Sequence, residues 1–297
     1  MIDYDYLTPR SLKEVLSLLK EYGPRATLIA GGTDVMVKIR NTRKAPEVLI
    51  SLRGLQDLRY IRKNGGYHIG ALTTHRMIEQ SQLVMEELPA LHDGASEVGS
   101  VQIRNVATLG GNICNAAPSA DTSGPLLALD ATVVLEGPEG RRTVPVMDFF
   151  TGTYMTVRKP EEVLIEFEIS EDMGNFGSAY WKHSRRKAME LPLLGVAVAL
   201  KLSEDKKEIL DAKIALTVAA PTPVRATLAE DFLKGKPMTD EIFKEAGRIA
   251  SSPDCCTPRT SLRCEAWYRE DMIRVLVPRM AAKAAERAGK SRQRRGR

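Results

Sequence analysis

Two short stretches hold the residue types from which an anion site is built. Residues 27–35 read TLIAGGTDV, and residues 108–121 read TLGGNICNAAPSAD. Each runs from apolar residues into Gly-Gly and on to small polar groups. Backbone N–H groups at a glycine turn or a helix start can approach phosphate oxygens closely, because no Cβ intervenes. Successive N–H groups form a concavity that suits an anion. Gly31-Gly32 stand between an apolar strand and a helix start, and Gly110-Gly111 are followed by Asn112 and Asn115 as further donors. Either pair alone reads more simply as a tight turn. Neither matches G-x-G-x-x-G or G-x-x-x-x-G-K-[ST]. Asp34 and Asp121 would repel a phosphate, so they are helix caps or partners for a hydroxyl, a backbone N–H or a ring N–H.

The elements that must position these stretches are legible around them. Ser11-Leu12-Lys13-Glu14 is a capping box, with Leu12, Val15, Leu16 and Leu19 at helical spacing and Gly23-Pro24 as a stop. A strand over Ala26–Ala30, a helix capped by Thr33 or Asp34 and running to Arg40, and a strand over Val48–Ser51 complete the first unit. Hairpins are predicted at 59–70 and 131–146, helices from Thr73 or Thr74 to Ser81 and over 89–98, and a half-buried strand over Val163–Ile169. The stretch at 108–121 is predicted to be a loop. Beyond residue 176 the pattern gives three antiparallel strands (180–184, 193–202, 209–219), helices over 225–234 and 239–252, and a long C-terminal helix over 262–288. The expected organisation is 1–56 and 57–175 as two subdomains, 176–288 as an α+β domain with a three-stranded antiparallel sheet, and 289–297 as a disordered basic tail.

Composition narrows the class. Of 297 residues, 43% are hydrophobic and 27% charged, as in ordinary soluble domains, and only 5% are aromatic, which argues against base stacking on nucleic acid. Residues 283–297 carry a surplus of six positive charges against +5 for the whole chain, which leaves the first 282 residues at −1. The basicity is therefore a tail: a solvated end, or a dock for an acidic subunit or RNA. The start, MIDYDYLTPR, lacks the basic end and apolar core of a signal peptide. The longest apolar run, LPLLGVAVAL, is half of the roughly 20 residues a membrane helix needs. Cys114, Cys255, Cys256 and Cys264 make no C-x-x-C pair, so they read as reduced thiols of a cytoplasmic protein and not as zinc or iron–sulfur ligands.

LIAGGTDV at 28–35, QIRNVATLGGNICNAAPSADT at 102–122, EEVLIEFEI at 161–169 and YWKHSRRKAMEL at 180–191 together resemble the FAD-binding subunits of molybdenum hydroxylases. The likeness is greatest to those of the xanthine dehydrogenase type, and it extends to WYRE at 267–270. The resemblance implies an α+β chain with two FAD-binding subdomains of the vanillyl-alcohol-oxidase type and a C-terminal α+β domain covering the flavin. It implies that FAD is contacted by Thr27, Leu28, Ile29, Ala30, Gly31, Gly32, Thr33, Asp34 and Val35 in the first loop. The second loop would contribute Thr108, Leu109, Gly110, Gly111 and Asn112. Asp121 matches a FAD-contacting acid, Leu164 an apolar backbone contact, and Lys182 a lysine near the isoalloxazine ring. A lysine there would stabilise reduced flavin. By composition alone Leu164 is ordinary core and Lys182 a surface strand residue. The inserted iron–sulfur loop of some relatives is absent.

The resemblance also implies partners: a heterotrimer with a [2Fe–2S] small subunit and a molybdopterin large subunit. In it this chain takes electrons from the clusters and passes them to NAD or another acceptor. The substrate would be oxidised elsewhere, and no catalytic residue is assigned here. Two rivals remain, a self-contained FAD-dependent oxidase or reductase of the same fold, and a nucleotide-binding or RNA-associated module using the basic tail.

Overall fold

The computed structural model describes residues 3–295, with side chains through Ala288. A three-stranded parallel sheet opens the chain, with Val48–Ser51 between Asp5–Leu7 and Ala26–Ile29. The central strand is buried throughout and uniformly apolar until its last residue, as a covered parallel strand must be. The first crossover helix, Leu12–Tyr22, starts where the capping box predicts. Ser11 Oγ accepts from the Glu14 amide at 3.2 Å, while Glu14 reaches back to the Arg10 amide at 2.8 Å. Gly23, at φ +52°, ends that helix in the left-handed region. The second helix, Val35–Thr42, begins after Asp34, but the Asp34 side chain makes no capping bond. The cap expected of Thr33 or Asp34 is therefore not made by the carboxylate, which burial holds above its usual pKa.

A five-stranded antiparallel sheet follows, in the order Ile61–Lys63, Gly66–Gly70, Val163–Ser170, Thr132–Gly137, Gly140–Pro145. Its central strand is the last in sequence, so everything from 71 to 131 is a helical excursion that leaves the sheet and returns. The stretch predicted as a loop lies inside that excursion, and half of it is helical. Helices occupy Val101–Val106 and Leu109–Asn115, and Thr108 caps the second by accepting from the Gly111 amide at 3.1 Å. Glycine and asparagine have low helix propensity, so tertiary bonds hold this helix in place. The Leu109 amide donates to Thr73 O at 3.0 Å, and the Gly110 amide to Ala71 O at 2.9 Å.

The C-terminal sheet has four antiparallel strands, not three: Gly177–His183, Leu194–Leu202, Ile209–Thr217 and Val224–Arg225. The fourth has two residues, too few for a periodic signal. Helices Thr227–Leu233, Asp240–Ala250 and Ala266–Arg295 complete this unit. The side chains of the tail expected at 289–297 lie outside those described. Tyr180, Ala197, Ala199 and Ala215 of the sheet share one apolar cluster with Leu126, Leu127 and Phe167, so the last unit is bedded on the second. Among the described residues, no helix is long and apolar enough to cross a membrane.

Candidate functional site

The first glycine pair meets the segment that leads into the second. A Cβ on Gly31 would lie 2.2 Å from Val106 O and 2.9 Å from Ala107 Cα, so the first loop presses directly on the backbone that leads into the second. Gly110 has an equally local cause, because its Cβ would stand 2.8 Å from both Cβ and O of Ala71. Gly111 differs. Beyond its own helix only Thr108 Oγ1, at 2.9 Å, is close to where its Cβ would be, so its backbone faces open space. Of the four glycines, then, Gly31 and Gly110 serve contact between chain segments, and Gly111 leaves room for a ligand. Gly32, at φ +79°, makes the turn from strand to helix.

Between the loops lies a cleft of about 230 Å³, lined by Ala30, Arg53, Arg59, Leu72, Thr74, Asn105, Val106 and Thr108. It is smaller than the roughly 300–1,000 Å³ of a whole ligand site, so an extended ligand would place only one part of itself here. The chemistry of the walls suits an anion. Next to the wall residue Ala30, though not lining the cleft themselves, Gly31, Gly32, Thr33 and Asp34 have amides that donate to no protein acceptor among the described residues. Thr74 and Thr108 Oγ1 each accept from a backbone amide, which leaves each hydroxyl hydrogen available. Arg53 donates from Nε to Ala30 O at 3.3 Å, and among the described residues neither it nor Arg59 has an ion-pair partner. Two uncompensated guanidinium groups at a concave mouth lined with free donors match a diphosphate. No motif marks Arg53, Arg59 or Thr74 in the sequence, and Asn105, within the stretch at 102–122, is not singled out there.

The other expected residues divide. Leu28 and Ile29 point into apolar clusters, and Leu164 is 5% exposed in the core of the second sheet. Burying such a side chain contributes roughly 1.5–3 kcal/mol, so Leu164 can meet a ligand only through its backbone, beside the bulge between Leu164 and Glu166. Asp121 and Lys182 come together, 61 residues apart in sequence. Lys182 Nζ donates to Asp121 Oδ2 at 2.8 Å and to Glu97 O at 2.9 Å, and Tyr180 Oη donates to Asp121 Oδ1 at 3.1 Å. Both charged side chains are buried, with 5% and 7% exposure. Burial, only partly offset by Lys182, pushes the Asp121 carboxyl up to about 6. Burial and the carboxylate hold the Tyr180 hydroxyl well above its ordinary range. Lys182 is thus no surface residue. The group is tied to the second loop, because Asn112 Oδ1 accepts from Thr122 Oγ1 at 2.7 Å.

Residues 2–170 match the FAD binding domain in molybdopterin dehydrogenase, and residues 179–284 the CO dehydrogenase flavoprotein C-terminal domain. The chain belongs to this family. It is 32% identical over 293 residues to the xanthine dehydrogenase FAD-binding subunit of Escherichia coli O157:H7, covering 97% of this chain and 99% of that one. It is 35% identical over 277 residues to the carbon monoxide dehydrogenase medium chain of Hydrogenophaga pseudoflava, covering 93% and 95%. A solved carbon monoxide dehydrogenase from Hydrogenophaga pseudoflava, lacking the Mo-pyranopterin moiety of the molybdenum cofactor, superposes with a TM-score of 0.90 at 35% identity. That likeness covers 96% of this chain and 98% of the other. For a flavoprotein of this family, the free hydroxyls and unpaired arginines of the cleft, with the open amides next to it, fit the diphosphate of FAD.

If Arg53 and Arg59 neutralise that diphosphate, replacing either with Ala should weaken FAD binding about tenfold or more, since charge-assisted bonds contribute about 1.5–3 kcal/mol each. Riboflavin, which has no phosphate, should bind both forms alike. Fluorescence titration with the two flavins checks this.

Proposed function

We propose that this chain is the FAD-carrying electron-transfer subunit of a molybdenum hydroxylase. It would receive electrons from the [2Fe–2S] clusters of a small subunit, serve a molybdopterin large subunit that oxidises the organic substrate, and deliver electrons to NAD or another acceptor. The observation that carries this reading is the anion cleft where the two glycine loops meet, in a chain that matches the family along almost its whole length. Bound FAD supplies a two-electron store that fills one electron at a time.

The chain's own residues do the rest. The amides of 31–34 and the hydroxyls of Thr74 and Thr108 hold the diphosphate, and Arg53 and Arg59 balance its charge. Gly111 gives the ligand close access to backbone, and Lys182 sets a positive charge beside Asp121 within the same structure. Residues 1–56 and 57–175 supply the two loops, and 176–288 bring Lys182 and Tyr180. None of the four histidines lines the cleft, and no His/Tyr/Arg cluster for substrate oxidation stands out in the sequence. The self-contained oxidase gains no support.

With FAD bound and air excluded, NADH should bleach the flavin of the isolated chain. Purines, aldehydes and aromatic heterocycles should leave it oxidised until the two partner subunits are added. Bleaching by such a substrate in the chain alone would overturn the proposal.

A further inference from the structure

A second group of donors lies on the five-stranded sheet, and the flavin reading does not use it. His68, Glu166 and Glu168 each offer a ligand atom, and these atoms lie within 4.8 Å of one another. The register explains why they converge. His68 stands opposite Glu168 across the antiparallel pair, and Glu166 is two residues along the same strand, hence on the same face. The position opposite Glu166 is Gly70, which has no side chain to intrude. Tyr60 fills that space instead, since a Cβ on Gly70 would come within 2.9 Å of Tyr60 Cε1. From there the Tyr60 hydroxyl donates to Glu166 Oε2, while His68 Nδ1 stands 3.3 Å from Glu166 Oε1.

Among the described residues, no permanent cation makes a salt bridge to this group, although Arg141 acts on Glu166 at longer range. Among the described residues, the only ion pair either carboxylate makes is with His68, which is a cation only when protonated. Arg62 lies over the Tyr60 ring at 4.4 Å, and Arg141 is paired with Glu136. Two carboxylates and an imidazole on one face of the sheet thus present three ligand atoms to a single point.

We propose that His68, Glu166 and Glu168 form a binding site for one divalent transition-metal ion, with zinc the best match. One imidazole nitrogen and carboxylate oxygens at about 2.0–2.2 Å from the ion are a standard zinc donor set, and an imidazole disfavours magnesium and calcium. Tyr60, bonded to Glu166, fixes the orientation of one ligand, the usual task of an outer partner. The ion would cross-link the strands Gly66–Gly70 and Val163–Ser170. Sequence spacing hides such a site, because His68 and Glu166 are 98 residues apart.

The test is a zinc titration of the full chain, stripped with chelator, read by a competing zinc dye and by melting temperature. The native chain should take up one zinc at micromolar or lower free concentration and melt higher with it. His68→Ala and Glu168→Gln should each weaken uptake at least about tenfold and abolish the rise in melting temperature. A Cys255→Ser, Cys256→Ser chain should behave as native. Glu168 has no bonded partner among the described residues, so Glu168→Gln keeps the test open even if His68→Ala folds poorly. No saturable uptake by the native chain, or native-like uptake by both ligand variants, would overturn the proposal.

Discussion

Replacing Lys182 with Met is expected to destabilise the chain by about 1–2 kcal/mol at pH 7 and by up to about 3–5 kcal/mol at alkaline pH, where removing one partner of a buried ion pair leaves the other charged. The pair is enclosed on both sides, and the remaining partner, Asp121, would keep only the Tyr180 hydroxyl. Burial already outweighs Lys182 in setting the Asp121 carboxyl, which stands at about 6. Without the ammonium it moves higher still. An acid whose folded pKa is raised contributes stability that is present at low pH and lost as pH rises through the folded value. The Lys182→Met deficit should therefore be small below pH 4 and grow as the pH passes 6. Asp121→Asn in the same chain should restore much of the loss, because no charge then remains buried. Chemical denaturation across pH reads all three forms. A loss under about 1 kcal/mol that ignores pH would mean that the pair is wet and behaves as a surface salt bridge.

Gly31→Ala carries the second large effect. Its Cβ would sit 2.2 Å from Val106 O and 2.8 Å from Val106 C, and neither atom belongs to a flexible side chain that could swing away. Overpacking typically costs about 1–3 kcal/mol when side chains can adjust. Two backbones in contact should place this substitution at the upper end. The first loop has to lift off the segment that leads into the second, so the cleft opens and FAD affinity should fall about 100-fold. Gly111→Ala is the control for stability alone, because its Cβ would enter the space left for the ligand and weaken FAD as well. It meets only Thr108 Oγ1 and should cost about 1 kcal/mol through a weakened cap. Calorimetry of the unliganded forms distinguishes the two. Equal losses of stability at both positions would mean that the loops do not bear on each other.

These two cases mark what can be read from sequence and what cannot. The Ser11 capping box, the central strand Val48–Ser51 and both hairpins are local signals, and the structure repeats them. The helix Leu109–Asn115 is not a local signal. Its sequence reads as a loop, and bonds to Ala71 and Thr73 make it a helix. The glycine pairs were visible, yet their separate tasks were not, because close approach to a ligand and close approach to another chain segment demand the same residue. Asp121 and Lys182 could each be named, while their pairing depends on the packing of the last sheet on the second unit. Arg53 and Arg59 belong to no motif, since a long, flexible cation can reach a cleft from many positions.

The central claim is that one FAD is held at the cleft between the two loops. It is tested most directly by adding FAD to the purified, unliganded chain and following flavin fluorescence and visible absorbance, with Gly31→Ala in parallel. The account predicts saturation at one FAD per native chain and about 100-fold weaker binding by the variant. A folded native chain that takes up no FAD, or a Gly31→Ala chain that binds it as tightly as the native one, would contradict the account.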